Sequence, residues 1–182
     1  MDYKSFFSHY TDSISELLKN VDTNLINASV NLIANTKKNK NKIYIVGNGG
    51  SSSIASHVSV DFTKVAKINC STFNNANLIT CFANDYKYEN WVVEAIKAYS
   101  SKKDLFILIS SSGTSKNIVN AAQYCKKNNI DLITLSGFKK NNPLSQSGNI
   151  NFHVESEDYN FIEMTHHIIL VSIVDIFAKK IF

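Results

Sequence analysis

Residues 42–64, KIYIVGNGGSSSIASHVSVDFTK, decide how the rest of this chain is read. Ile43, Tyr44, Ile45 and Val46 form an apolar run of strand length, which ends in Gly47, Asn48, Gly49 and Gly50. Ser51, Ser52 and Ser53 then open a segment with helical spacing. The spacing predicts a strand, a tight glycine turn and a helix N-terminus. Glycines allow positive φ and close approach of the backbone to a ligand, and the unpaired N–H groups at a helix start favour an anion, most often a phosphate. Serine hydroxyls at that point add further donors.

Two rival motifs fail on the same residues. A P-loop needs Lys followed by Ser or Thr after its last glycine, and Gly50 is followed only by serines. A dinucleotide fingerprint needs a third glycine where Ser52 stands and an acid about twenty residues on, where the chain reads Cys70, Ser71, Thr72. A phosphate cradle without nucleotide features is left, so no nucleotide cofactor is expected. The plainer reading of these residues alone is an ordinary glycine-rich βα turn.

The chain has 182 residues, enough for one domain with a single substantial core. With 44% hydrophobic and 19% charged residues it has the composition of a soluble globular protein. The net charge of +4 is mild and its lysines are dispersed or sit in turns, so nucleic acid is not an expected partner. No uninterrupted apolar run reaches spanning length, and the opening MDYKSFFSHY is too polar for a signal peptide. No membrane association is therefore expected, and a cytoplasmic location is. Cys70, Cys81 and Cys125 are odd in number and lack CxxC spacing, which points to reduced thiols.

Residues 1–36 read as a helical segment, with a possible break near Asn27. Phe7, Tyr10, Ile14, Leu17, Val21 and Leu25 recur at steps of three and four, giving a narrow apolar seam. Because it precedes the βα repeat, this segment is expected to pack on a neighbouring subunit as well as on its own sheet; the alternative is packing within one chain only. The α/β core is expected over 42–182, within a single domain 1–182. Further strands are expected at 70–73, 104–109, 131–135 and 151–154, and helices at 91–99, 116–127 and 161–181. The alternation predicts a three-layer α/β sandwich with a parallel sheet of about five strands.

Ser110, Ser111, Ser112, Gly113, Thr114 and Ser115 form a second loop between a buried strand and a helix. If the two strands are neighbours, both loops lie at the carboxyl edge of the sheet and line one polar pocket for a phosphorylated small molecule.

GNGGS after a strand, ANDY at 83–86, the SSSGTS loop and a final helix carrying acid and histidine together resemble the sugar isomerase (SIS) domain family, in its phosphoheptose isomerase branch. The resemblance spans nearly the whole chain. It implies a flavodoxin-like sheet, a homotetramer with active sites between subunits, and interconversion of sedoheptulose 7-phosphate with D-glycero-D-manno-heptose 7-phosphate, often with zinc, toward surface polysaccharide precursors. It also implies that Asn48, Gly49, Gly50, Ser51, Asn84, Asp85, Ser110, Ser111, Ser112 and Ser115 hold the sugar phosphate.

Aldose–ketose isomerisation moves one proton between adjacent carbons through an enediol. It needs a base, an oxyanion stabiliser and restricted water. His57 and Asp61 lie at i and i+4 on the helix after GNGGS, and Glu163 and His167 at i and i+4 on the last helix, with His166 one step round. Asp61 is expected as the base, His167 (or His166) as its acid partner and Glu163 as an added carboxylate. His57, Asp61, Glu163 and His167 are also a chemically reasonable ligand set for zinc or another divalent ion. The family pattern has glutamate where Asp61 stands, glutamine at Glu163 and histidine at Val171. The alternative readings are an isomerase of another pentose or hexose phosphate, and a sugar-phosphate-binding regulatory protein without turnover.

Overall fold

The structure, a computed structural model, describes residues 2–179. Its elements in chain order are α1 (Tyr3–Lys19), α2 (Thr23–Lys38), β1 (Ile43–Val46), α3 (Gly50–Lys64), β2 (Cys70–Ser71), α4 (Ala76–Tyr86), α5 (Trp91–Tyr99), β3 (Leu105–Ser110), α6 (Lys116–Lys127), β4 (Leu132–Ser136), a short 3-10 turn (Leu144–Gln146), β5 (Ile150–His153) and α7 (Tyr159–Ala178). The five strands form one sheet in the order β2-β1-β3-β4-β5, parallel throughout. The predicted three-layer sandwich with a flavodoxin-like sheet is the architecture found.

Period-two alternation along the strands divides the core. Ile43, Ile45, Leu105, Ile107, Ile109, Ile133 and Leu135 face one side, against Val30 and Ile33 of α2, Val58 and Phe62 of α3, and Ile169, Leu170 and Ile173 of α7. Tyr44, Val46, Phe106, Leu108 and Leu132 face the other, against Trp91 and Val92 of α5 and Ile118 and Ala121 of α6. Both faces are covered, which is why these strands read as continuous apolar runs. Phe62 is fully buried and anchors α3 to the sheet; truncating it to Ala would cost about 3–5 kcal/mol.

Several boundaries differ from expectation. The N-terminal helical segment breaks at Asn20–Asp22 rather than near Asn27, because the Asp22 carboxylate accepts the Asn24 N–H and starts α2 anew. α4 is an extra helix capped by Asn75, whose side chain accepts from the N–H groups of Asn77 and Leu78. β2 is two residues long, and β3, β4 and β5 each lie one residue away from the predicted spans. α7 starts at Tyr159 behind an Asp158 cap; the expected end at Ile181 lies outside the described residues.

By length and composition α7 is apolar enough to cross a bilayer. Its Ile169, Leu170, Ile173 and Val174 are instead part of the core beneath the sheet, and it packs along α3, α1 and α2. α1 has no buried residue; it leans on α7 through Tyr10, whose ring meets Phe161 at 4.9 Å, and leaves Tyr3, Phe6 and Phe7 exposed.

Candidate active site

β1 and β3 are adjacent, paired from Ile43–Leu105 to Val46–Leu108, yet the helices that follow them pack on opposite faces of the sheet. Their loops must therefore diverge at the carboxyl ends of the strands, and the crevice at such a switch point is where open α/β sheets bind ligands. A cavity of about 230 Å³ lies there, lined by Asn48, Gly49, Gly50, Ser51, Ser110, Ser111, Ser112, Ser115, Tyr159 and Glu163. Eight of the ten residues assigned to the sugar phosphate thus meet in one cleft, while Asn84 and Asp85 do not line it.

Each loop is built for its place. Gly49 caps α3 with φ 54° and ψ −124°, a conformation closed to residues with a side chain, and so turns the chain straight from β1 into the helix. Ser51 is buried at the start of α3, beside the positive end of the helix. In the second loop Ser110 donates to Ser115 Oγ at 3.1 Å, the Gly113 N–H bonds the Ser110 carbonyl, and Gly113 has φ 66°. Two helix N-termini and their hydroxyls converge, which is a donor array for an anion.

Glu163 enters the cleft from α7. Its carboxylate lies against the Gly50 backbone so closely that a Cβ there would collide with it, and Ser111 Oγ is 3.5 Å from Oε1. Tyr159, one turn earlier, stands at the mouth and packs on Phe138 with ring centroids 4.9 Å apart.

The remaining charged candidates form a chain beside the cleft. His57 Nε2 is 3.1 Å from Asp61 Oδ2, and His57 Nδ1 is 2.9 Å from His167 Nε2, with the two rings nearly perpendicular. The pattern is satisfied when His57 donates from Nε2 to Asp61 and accepts at Nδ1 from His167, which leaves His167 Nδ1 with a free lone pair. Desolvation is the main cause that lowers the His167 pKa from its ordinary value; His57 lowers it further and Asp61 opposes.

His166 faces elsewhere. It is wholly buried, its Nε2 lies 3.1 Å from the Ser136 carbonyl, and burial pushes its pKa down to about 4. Of the two histidines, His167 is the one that meets His57 and, through it, Asp61. Val171 packs against the apolar core.

The expected zinc set does not converge as arranged. His57 turns one nitrogen to Asp61 and the other to His167, so a single ion can meet only one of these, and Glu163 lies at Gly50. Among the described residues no group of three or more His, Cys, Asp or Glu is disposed to hold a metal ion.

Asn84 and Asp85 occupy the last turn of α4, exposed, with Asn84 Nδ2 bonded to Asp85 Oδ1 at 2.9 Å. Tyr88, just beyond, does reach the site: its hydroxyl donates to Asn48 Oδ1 at 3.2 Å. Tyr159, which lines the cleft, and Tyr88 and Asn117, which hydrogen-bond Asn48 from outside it, are residues that sequence reasoning missed. Of these only Tyr159 had a signal, its position directly after the Asp158 cap.

Comparison with known proteins gives the family and supports the fold. Residues 9–137 match the SIS domain family. Phosphoheptose isomerase 2 of Campylobacter jejuni is 40% identical over 144 residues, covering 71% of this chain and 69% of its own. The phosphoheptose isomerase of Helicobacter pylori strain P12 is 32% identical and covers 97% of this chain and 96% of its own. The structure of phosphoheptose isomerase GmhA from Neisseria gonorrhoeae superposes with a TM-score of 0.89 over 98% of this chain and all of that one; at 18% identity this likeness bears on the fold.

Proposed function

Since the chain belongs to the SIS domain family, we propose that it is an aldose–ketose isomerase interconverting sedoheptulose 7-phosphate and D-glycero-D-manno-heptose 7-phosphate. The observation that carries this reading is the meeting of two serine-bearing helix N-termini with the Glu163 carboxylate in one cleft. The loops grip the phosphate, and the sugar's reactive end extends toward α7. Glu163 carries the proton between the first two carbons. His167, held by His57 and Asp61, serves the sugar oxygens as hydrogen-bond partner and proton carrier. Asp61 is thereby an anchor for the imidazole pair, a different task from the base expected from sequence.

The exposed rings of Tyr3, Phe6 and Phe7 on α1, with Val60 on α3 and Met164 and Ile168 on α7, support self-assembly through these helices, with four copies as the number the family resemblance implies. A cytoplasmic location suits a phosphorylated substrate and the free thiols of Cys70, Cys81 and Cys125.

The test is solvent exchange. Incubation with sedoheptulose 7-phosphate in deuterium oxide is expected to yield aldoheptose phosphate labelled at C2 and ketose labelled at C1. A second reading, a sugar-phosphate-binding regulator, draws on Val171, an apolar residue where the family pattern has histidine. Tight binding of the sugar phosphate with neither aldose formation nor deuterium uptake would establish that reading and overturn the isomerase.

A further inference from the structure

We propose that Asn117 is a positioning residue that sets the spacing of the two phosphate-gripping loops, with Tyr88 as its outer support. Asn48 and Asn117 are 69 residues apart in sequence and form a reciprocal amide pair: each Nδ2 donates to the other's Oδ1 at 2.9 Å. Asn117 is only 2% exposed and lies in the first turn of α6; Asn48 is the second residue of the loop after β1. The Tyr88 hydroxyl donates to the same Asn48 Oδ1 at 3.2 Å, from the loop between α4 and α5.

The need for such a link follows from the topology. The β1–β3 ladder ends at Val46 and Leu108, after which the chains depart to opposite faces of the sheet. A phosphate held by both loops requires donors from each at one fixed separation. The asparagine pair spans that divergence. Only a carboxamide on both sides offers one donor and one acceptor in matching positions, so Asp, Ser or Leu at 117 cannot reproduce the ring. The pairing takes up the Asn48 side-chain oxygen and one of its two amide hydrogens, so Asn48 contributes to loop geometry while its second N–H stays available in the cleft.

This inference rests on the reading of the loops as a phosphate grip, so the experiment separates the two. Ser115→Ala tests the grip, while Asn117→Ala and Tyr88→Phe test the positioning. The readouts are KM for sedoheptulose 7-phosphate, Ki for inorganic phosphate, kcat and thermal melting. Asn117→Ala, which removes two hydrogen bonds, is expected to raise KM and the phosphate Ki together by about tenfold or more, with kcat changed by less than about threefold. Tyr88→Phe alters an exposed side chain and removes one bond, so a parallel rise of about two- to fivefold is expected without a shift in melting. Asn117→Asp keeps the volume but sets oxygen against oxygen, and is expected to resemble Asn117→Ala. An unchanged phosphate Ki in Ser115→Ala would overturn the phosphate grip itself. A raised Ki in Ser115→Ala with unchanged values in Tyr88→Phe and Asn117→Asp would overturn the positioning role, even if Asn117→Ala fails to fold.

Discussion

Replacing Gly50 with alanine separates the fold from the chemistry. Gly50 is the first residue of α3 and its backbone is not in the left-handed region, so alanine fits its conformation. The three atoms nearest a Cβ there all belong to the Glu163 carboxylate, the far end of a flexible side chain. Glu163 must swing out of the cleft while the helix stays. Alanine is the better helix former by up to about 1 kcal/mol, which offsets the rearrangement, so stability should stay within about 1 kcal/mol of the parent. Turnover should fall by about 10²–10⁴, the usual contribution of a placed acid–base group, equivalent to about 3–5 kcal/mol of barrier. The decisive assay is a double-mutant cycle with Glu163→Ala, measuring kcat for sedoheptulose 7-phosphate and thermal melting of all four proteins. If Gly50→Ala acts by displacing the carboxylate, it adds nothing in the Glu163→Ala background. Full turnover in Gly50→Ala, or an additional loss in the double variant equal to that in the single, would refute the assignment of Glu163.

His166 predicts the acid side of stability. Its folded pKa of about 4 lies below the unfolded value of about 6.5, so the unfolded chain binds the extra proton in that interval. Stability is full above pH 6.5 and falls toward pH 4 by up to about 1.4 kcal/mol per pH unit, about 3 kcal/mol in total; melting curves across that range should flatten in His166→Gln. For His167, burial and the neighbouring His57 both lower the pKa, so the acid limb of kcat/KM should lie below the ordinary histidine range and move to higher pH in His57→Ala. Asp61→Asn leaves His57 without its carboxylate partner, and should reduce kcat strongly with little change in the binding of sugar phosphate by calorimetry. Phe6→Ser combined with Phe7→Ser should leave secondary structure by circular dichroism intact while lowering the assembly size in light scattering, since both rings are exposed in the single chain.

The sheet was legible because both its faces are covered, which turns each central strand into an unbroken apolar run. Its ends were less so. β3 and β4 finish on Ser110 and Ser136, which are buried and continue the ladder, and a hydroxyl gives hydropathy patterning no reason to include them. α4 was not read as a helix because none of its residues is buried and its start depends on the Asn75 side chain. The break between α1 and α2 was misplaced because the apolar seam continues through Val21, whereas the Asp22 cap decides where the second helix begins.

The two phosphate loops were legible for a local reason: glycine and serine runs directly after strands fix their own backbone. The tertiary contacts were not, and the i, i+4 spacing of Glu163 and His167 was misleading in an instructive way. It correctly put both on one stripe of α7, but that stripe follows α3, so the two residues meet different partners. Glu163 meets Gly50, and His167, one turn on, meets His57, which is seven residues and about 10 Å further along α3. A shared metal ion would require Glu163 to leave the cleft or His57 to abandon one of its two partners. With the imidazole pair satisfied by Asp61 alone, the Glu163 carboxylate remains beside the two serine-bearing loops, where it lines the cleft.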